Sequence, residues 1–106
     1  MTFVIRPAAR DDIIRQFRYR LLEFDDPQIG LLFLESVEGS IETITAMPQL
    51  GSPKTIRNRL LKGLRSWPVR DFPDVRIYYL VQDDVLRVVR VLHGKQNVDR
   101  ILRRES

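Results

Sequence analysis

The chain has 106 residues, of which 43% are hydrophobic and 30% are charged, and it contains no cysteine. This composition is typical of a globular chain of one domain, residues 1–106, and it excludes a disulfide framework. No apolar run approaches the ~20 residues that cross a bilayer, and the first residues lack the layout of a signal peptide. We therefore expect a cytoplasmic protein without a membrane partner.

The N-terminal half predicts a short strand and two helices. The strand is the apolar stretch 3–5, which stops before Pro7, and a first helix follows with an apolar stripe at Ile13, Ile14, Phe17, Leu21 and Phe24. Asp26-Pro27 has the residues of an N-cap and a first helical position. It predicts a second, antiparallel helix that ends before Pro48 and carries the stripe Phe33, Val37, Ile41 and Ile44. Gly39 inside this helix predicts the close approach of another backbone.

The C-terminal half predicts strands beyond a Pro/Gly/Ser connection. Alternating apolar residues indicate strands at 64–69, 75–82 and 85–92, with a tight turn at Asp83-Asp84 and a short closing helix capped by Asn97. The order β-α-α-β-β-β-α predicts an α+β fold. In this fold a helical hairpin covers one face of a small, twisted, mostly antiparallel sheet, and the other face is partly open.

Charge is distributed unevenly along the chain. Residues 1–53 carry five Arg and eight acidic residues, a net charge of −3, and residues 54–106 carry thirteen Lys and Arg against six acidic residues, a net charge of +7. Arginine outnumbers lysine fifteen to three, and its planar guanidinium suits carboxylates and phosphates. The bias favours a surface that meets an acidic partner, although a solvated basic face without a partner has the same composition.

Most catalytic arrangements are absent from the sequence. One histidine and no cysteine exclude a Cys/His pair and most zinc sites, and the stretch GSPKT at 51–55 is not a phosphate-binding P-loop. The paired aspartates fit turns and caps better than metal ligands. We predict no catalytic residue, no metal site and no cofactor.

Three stretches of the second half carry a family resemblance: GLRSWPV at 63–69, VRIYYLVQDD at 75–84 and LRVVRVLHGKQNVDRIL at 86–102. With FVIRPAARDDI and MPQLG in the first half, they resemble the ParE branch of the RelE/ParE toxins of bacterial toxin–antitoxin modules over nearly the whole chain. The resemblance implies the same α+β fold and a non-catalytic type II toxin that inhibits DNA gyrase. It also implies a cognate antitoxin that silences the toxin, and no sequence-specific nucleic-acid binding is expected.

The RelE branch, which cuts mRNA on the ribosome, supplies the alternative function. The resemblance would assign that chemistry to the cations Arg65, Arg76, Arg90 and Lys95. Two positions depart from the nuclease pattern, because Gln96 stands where arginine is usual and an aliphatic residue near Leu102 replaces a C-terminal tyrosine. A basic binding module without toxicity is a third alternative.

Seven residues are predicted to contact the target or the antitoxin: Arg65, Trp67, Arg76, Arg90, His93, Lys95 and Arg100. Trp67 belongs either to the core or, as its position before a proline favours, to an exposed anchor. Arg90 either pairs with an acid of the first half or binds a partner. His93 is expected to stabilise a turn in which Gly94 has positive φ. The tail 95–106 is expected to be the least stable ordered part and to contact the target.

Overall fold

The α+β order predicted from the sequence is confirmed by the computed structural model, which describes residues 1–106. Two short 3-10 turns, at Pro48–Leu50 and Arg59–Leu61, interrupt the connections. The strands and α-helices are β1 Thr2–Ile5, α1 Pro7–Glu23, α2 Pro27–Ala46, β2 Ser52–Pro53, β3 Arg65–Val69, β4 Phe72–Gln82, β5 Val85–His93 and α3 Val98–Arg103. None of the helices is both long and apolar enough to cross a bilayer.

The five strands form one mixed sheet in the order β1-β5-β4-β3-β2. Strand β1 runs parallel to β5, and the other neighbouring pairs are antiparallel. The predicted turn between β4 and β5 is confirmed, because Asp83 and Asp84 both adopt positive φ, at 54° and 61°, as a two-residue hairpin turn requires. Strand β2 was not predicted, since its two residues lie within the predicted connection.

Helix α2 follows its predicted pattern. The Asp26 side chain accepts a hydrogen bond from the Gln28 N–H at 2.9 Å, and Pro27 occupies the first helical position. All four residues of the predicted stripe are buried against the sheet in the larger of two apolar clusters: Phe33, Val37, Ile41 and Ile44. The N-cap and the apolar period therefore identify this helix correctly.

Helix α1 buries the predicted stripe only in part, because Ile13 and Phe17 pack, partly buried, against the larger cluster. Ile14 and Phe24 are 40% and 56% exposed, whereas the buried residues of the helix are Ala9, Asp12 and Arg20. The prediction missed the buried polar residues because it assumed that charged residues of an amphipathic helix face water. The side chains of Asp12 and Arg20 instead lie beneath the helix.

The second face of the sheet has a core of its own, and the expectation of a partly open face was wrong. A smaller apolar cluster covers it, made by Leu61, Leu64, Tyr78, Leu80, Val89, Leu92 and Leu102. Helix α3 and the segment before β3 supply the outer layer, because the apolar residues of these short segments face the sheet. Both faces of the sheet are therefore packed.

Close contact between the two helices occurs at Gly30 and not at Gly39. A Cβ on Gly30 would lie 2.9 Å from Leu21 Cδ2, whereas a Cβ on Gly39 would lie 3.5 Å from an Arg70 guanidinium nitrogen, an ordinary contact distance. The prediction for Gly39 was wrong because a sequence does not show which glycine of a helix faces its neighbour.

Candidate functional site

Arg65 lies beside an apolar groove at the end of α2. The groove is a cavity of about 740 Å³ whose apolar wall is formed by Met1, Met47, Leu50, Tyr79 and Val81. The Arg65 guanidinium donates through Nη1 to the Gly51 carbonyl at 2.7 Å. The groove therefore combines exposed apolar surface with one cation.

The floor of this groove is fixed by the Tyr79 hydroxyl. This hydroxyl donates to the Pro48 carbonyl at 2.6 Å and accepts from the Gly51 N–H at 2.9 Å. Burial raises the pKa of the Tyr79 phenol. Glycine is required at position 51 because a Cβ there would overlap the hydroxyl oxygen. The connection after α2 is therefore tied rigidly to the centre of β4.

Arg76 lies on the opposite face of the sheet from Arg65. Its guanidinium donates to the Ser66 hydroxyl at 3.1 Å and to the Ser66 carbonyl at 3.3 Å. Side chains alternate between the two faces along β3 and β4, and the sheet therefore separates the two arginines. The two cations do not converge on a common substrate position.

Arg90 is held by carboxylates within the protein. It donates to both oxygens of the fully buried Asp12 carboxylate, at 2.7 and 2.8 Å, and to Glu105 Oε1 at 2.8 Å. Asp12 also accepts the Val91 N–H at 3.0 Å. The hydrogen bonds with Asp12 are the main reason why the pKa of Arg90 is raised. The intramolecular alternative is therefore the one observed, and Arg90 is not a free contact residue.

A bulge in β5 explains why the environment of Arg90 was hard to predict. Tyr78 pairs with Arg90, but the next residue, Tyr79, pairs with Val88, so one residue of β5 is left over. Strict alternation along the strand would place Arg90 with Leu86 and Leu92 on one side. The bulge breaks this alternation, and the two leucines lie on opposite faces of the sheet.

Trp67 is half-buried and packs against the larger cluster. The core alternative therefore describes it better than an exposed anchor. Strand β2 pairs only with Arg65 and Ser66, so the edge of β3 is unpaired from Trp67 onward. The predicted contact between Trp67 and a partner stays a prediction.

His93 stabilises the turn after β5, as predicted. Its ring Nδ1 accepts the Lys95 N–H at 3.1 Å, and its own N–H donates to Gln96 Oε1 at 2.8 Å. The expectation of positive φ at Gly94 was wrong, because only Gly63 among the glycines has it. Gly94 keeps ordinary backbone angles and donates its N–H to the Asp74 carbonyl at 2.8 Å.

Arg100 belongs to a larger cationic surface that the sequence analysis recognised only in part. We call it the basic strip, and it comprises six exposed cations without a carboxylate partner within 4 Å: Arg57, Arg59, Lys62, Arg100, Arg103 and Arg104. Asn58 joins its two halves by donating to the carbonyls of Leu102 and Glu105 at 2.9 and 2.8 Å. The charge asymmetry of the sequence was the available signal for the loop half.

The tail is held more firmly than expected. Leu102 is fully buried in the smaller cluster, Glu105 pairs with Arg90, and Lys54 pairs with Asp99 at 2.8 Å. The hydrogen bond from Lys54 lowers the pKa of Asp99. The polar contacts with Asn58, Arg90 and Lys54 were not foreseen, and the relative stability of the tail stays a prediction.

The predicted contact residues therefore occupy several separate places on the molecule. The Arg65 groove, the Arg76 face, the ion-paired Arg90, the turn after β5 and the basic strip are distinct. No group of three or more His, Cys, Asp or Glu side chains is arranged to hold a metal ion. The cations that the nuclease alternative requires are therefore dispersed.

Comparison with known proteins agrees with this fold. A family model described as the ParE toxin of the type II toxin–antitoxin system, parDE, matches residues 3–98. A solved structure described as a chromosomal ParDE TA system from P. aeruginosa superposes with a TM-score of 0.70 at 11% identity, covering 88% of this chain and 95% of that chain. No curated protein sequence is significantly similar. The chain belongs to the ParE toxin family of type II toxin–antitoxin systems.

Proposed function

We propose that this chain is a toxin that acts in the cytoplasm by binding and inhibiting DNA gyrase, and that a cognate antitoxin keeps it inactive. The observation that carries the proposal is the match to the ParE family over residues 3–98, which includes six of the seven predicted contact residues. The similar solved structure comes from a ParDE TA system, which supports a partner of the antitoxin class.

Inhibition by binding agrees better with the positions of the cations than RNA cleavage does. A nuclease of the RelE type needs several cations around one scissile phosphate. Here Arg65 and Arg76 are on opposite faces of the sheet, and Arg90 is neutralised by Asp12 and Glu105. Lys95 lies in the turn after β5. These positions support a protein that contacts its target without chemical turnover.

The apolar groove and the neighbouring edge of β1 form the proposed seat of the antitoxin. Met1, Met47 and Val81 are exposed around the groove, and Phe3 and Val4 are exposed on β1. Strand β1 has a hydrogen-bonded neighbour on one side only, so an extended segment can add to its free edge. An acidic side chain of the antitoxin would meet Arg65 at the rim.

The basic strip is the proposed contact surface for the target. Its cations are exposed and free of carboxylate partners, so they are available to an acidic surface. Charges at the rim of an interface act mainly on the association rate, and salt screens them over about 10 Å at 0.1 M. Inhibition by the toxin should therefore weaken as salt concentration rises.

A supercoiling assay with purified gyrase tests the proposal, with a ribosomal mRNA-cleavage assay in parallel. We expect the purified chain to inhibit gyrase and to leave mRNA intact. The double variant Arg57→Gln/Arg59→Gln should require about fivefold more protein for the same inhibition. The matched variant Arg10→Gln/Arg18→Gln, which removes two exposed cations from α1, should inhibit like the natural sequence.

Induced expression in a bacterial host gives a second readout. Gyrase inhibition predicts a DNA-damage response with filamentous cells. Cleavage of mRNA with unimpaired gyrase would contradict the proposal and favour the RelE-like alternative, and unimpaired growth would favour a binding module without toxicity.

A further inference from the structure

A cavity between α1 and the turn after β5 has chemistry that the proposed function does not use. We call it the α1–β5 cavity. It has a volume of about 320 Å³ and is lined by Arg15, Gln16, Tyr19, Arg20, His93 and Lys95. Three of these side chains are cationic, and none of the six is acidic. A concave site with this lining is electrostatically suited to an anion.

Arg20 is the unusual member of this lining, because it is a buried cation without a carboxylate. Its residue exposure is 9%, and it forms no salt bridge within 4 Å. Its one hydrogen bond runs from Nη1 to the Gln16 carbonyl at 3.1 Å. The guanidinium lies 4.2 Å from the ring centroid of Phe33 and 4.9 Å from that of Phe72. Burial lowers the pKa of Arg20.

The neighbouring Gln16 leaves a second polar atom unsatisfied at the same place. Its Nε2 donates to the Val91 carbonyl at 2.9 Å, which fixes the orientation of the amide. Its Oε1 is buried and has no hydrogen-bond partner. Buried polar atoms are nearly always satisfied, and exceptions call for a specific explanation. A ligand that is both an anion and a hydrogen-bond donor would satisfy Arg20 and Gln16 together.

We propose that the α1–β5 cavity binds a phosphate group, as inorganic phosphate or as a phosphate monoester. Arg20 and Lys95 have no carboxylate partner, and Arg15 lies 3.6 Å from the Asp12 carboxylate, so the cavity keeps a positive charge that a phosphate dianion matches. Dianionic inorganic phosphate retains one proton and also supplies the O–H donor for Gln16, whereas a phosphate monoester supplies that donor only as its monoanion. The cavity is larger than a phosphate ion, so it can admit part of the group that carries the phosphate beside the Tyr19 ring. This inference does not depend on the cellular target of the toxin.

Calorimetric titration in phosphate-free buffer tests the inference, with inorganic phosphate, phenyl phosphate and acetate as probes. We expect both phosphates to bind with dissociation constants of about 1 mM or below, and acetate at least about tenfold more weakly. The variant Arg20→Met should bind phosphate at least about tenfold more weakly. The control Arg18→Met removes an exposed cation of the same helix and should bind within twofold of the natural chain.

Amide chemical shifts locate the binding and separate it from attraction to the basic strip. Phosphate should perturb amides of residues 15–20 and 93–95, and leave residues 57–62 unchanged. If Arg20→Met does not fold, the double variant Arg15→Gln/Lys95→Gln replaces it, since both side chains are exposed, and its affinity should fall at least about fivefold.

Four results would overturn the phosphate site. They are the absence of phosphate binding, an unchanged affinity in Arg20→Met, equal binding of acetate and phosphate, and shift changes confined to the basic strip.

Discussion

Two arginines at helix α1 have different surroundings, the half-buried Arg90 beneath the helix and the buried Arg20 on the helix itself. Beneath the middle of the helix, Arg90 meets two carboxylates, Asp12 and Glu105. Beneath its C-terminal end, Arg20 meets no carboxylate and two aromatic rings. Arg90 binds Asp12, and Arg20 donates to the Gln16 carbonyl. Asp12, Gln16 and Arg20 form a single stripe of α1 with a spacing of four residues. The fold thus neutralises Arg90 with carboxylates and leaves Arg20, which lines the α1–β5 cavity, without an anion.

The largest expected effect on stability comes from removing the carboxylate charge that Arg90 binds. Asp12→Asn keeps the shape of the side chain but removes the charge that Arg90 binds, and it should lower the free energy of unfolding by about 3 kcal/mol. Urea denaturation of the natural chain and the variant measures the difference. Asp11→Asn, on the exposed side of the same helix turn, is the control and should change stability by less than about 0.5 kcal/mol. A loss below about 1 kcal/mol for Asp12→Asn would show that Arg90 does not need its buried partner.

Removing the buried hydroxyl of Tyr79, which has both hydrogen-bond partners, should change stability by an amount between those expected at the two arginine sites. Tyr79→Phe leaves the Gly51 N–H and the Pro48 carbonyl unsatisfied, and we expect a loss of about 1–3 kcal/mol at neutral pH. Urea denaturation at pH 7 and at alkaline pH measures it. An equal stability of variant and natural chain at pH 7 would contradict the importance of these two hydrogen bonds.

The same tyrosine predicts the direction of the alkaline pH dependence. Because the folded state raises the pKa of Tyr79 above its unfolded value of about 10, the stability from the neutral phenol is complete below that pH. It is lost as pH rises through the folded pKa. The loss should be smaller in Tyr79→Phe and should not vanish, since burial also raises the pKa of Tyr78.

Substitution of Arg20 should affect stability in the opposite way to disruption of the Arg90–Asp12 pair. Arg20→Met removes a buried charge without stranding a carboxylate, so the free energy of unfolding should stay within about 1 kcal/mol of the natural value or rise. Arg90→Met is the matched comparison. It strands the buried Asp12 charge and should cost at least about 2 kcal/mol more than Arg20→Met in the same urea experiment. Equal costs would mean that Arg20 is as well compensated as Arg90.

The smallest expected effect belongs to an exposed pair. Asp99→Asn removes the partner of Lys54, and the melting temperature should fall by no more than about 2 °C at low salt. Since Lys54 lowers the pKa of Asp99, the contribution of the pair is present above about pH 4 and is lost as pH falls through the folded pKa. Salt at about 1 M should abolish the difference. A difference that persists at that salt concentration would contradict an exposed, screened pair.

The elements predicted correctly are those whose patterns end in local signals. Asp26-Pro27 marks the start of α2, and Asp83-Asp84 marks the hairpin between β4 and β5, because caps and tight turns depend on adjacent residues. Strict alternation does not describe the burial of β5, since the bulge opposite Tyr78 and Tyr79 reverses the alternation beyond it. A bulge depends on the partner strand, and the strand's own sequence does not encode it locally.

Among the residues that line the α1–β5 cavity, only those in and beside the turn after β5 were predicted from the sequence. His93 and Lys95 were predicted as contact residues from the family resemblance, but Arg20 and Gln16 were missed. Polar residues on a helix are assigned to water by default, and periodicity does not reveal which polar stripe is covered. The spacing of Asp12, Gln16 and Arg20 by four was the signal in the sequence. This spacing becomes informative only when a stripe of polar residues is considered as a candidate for the buried face of a helix.

The parallel pairing of β1 with β5 also sets the order in which this toxin can become complete during synthesis. Thr2 faces Val85, and Ile5 faces Val88, so the first strand made waits for the last one. Until β5 leaves the ribosome, Asp12 has no Arg90, and the local contacts that can form are those of the helical hairpin and of the β3–β4 pair. Contacts between distant residues close slowly in folding. We therefore expect the nascent chain to lack the finished groove and edge of β1 that the proposed antitoxin would bind.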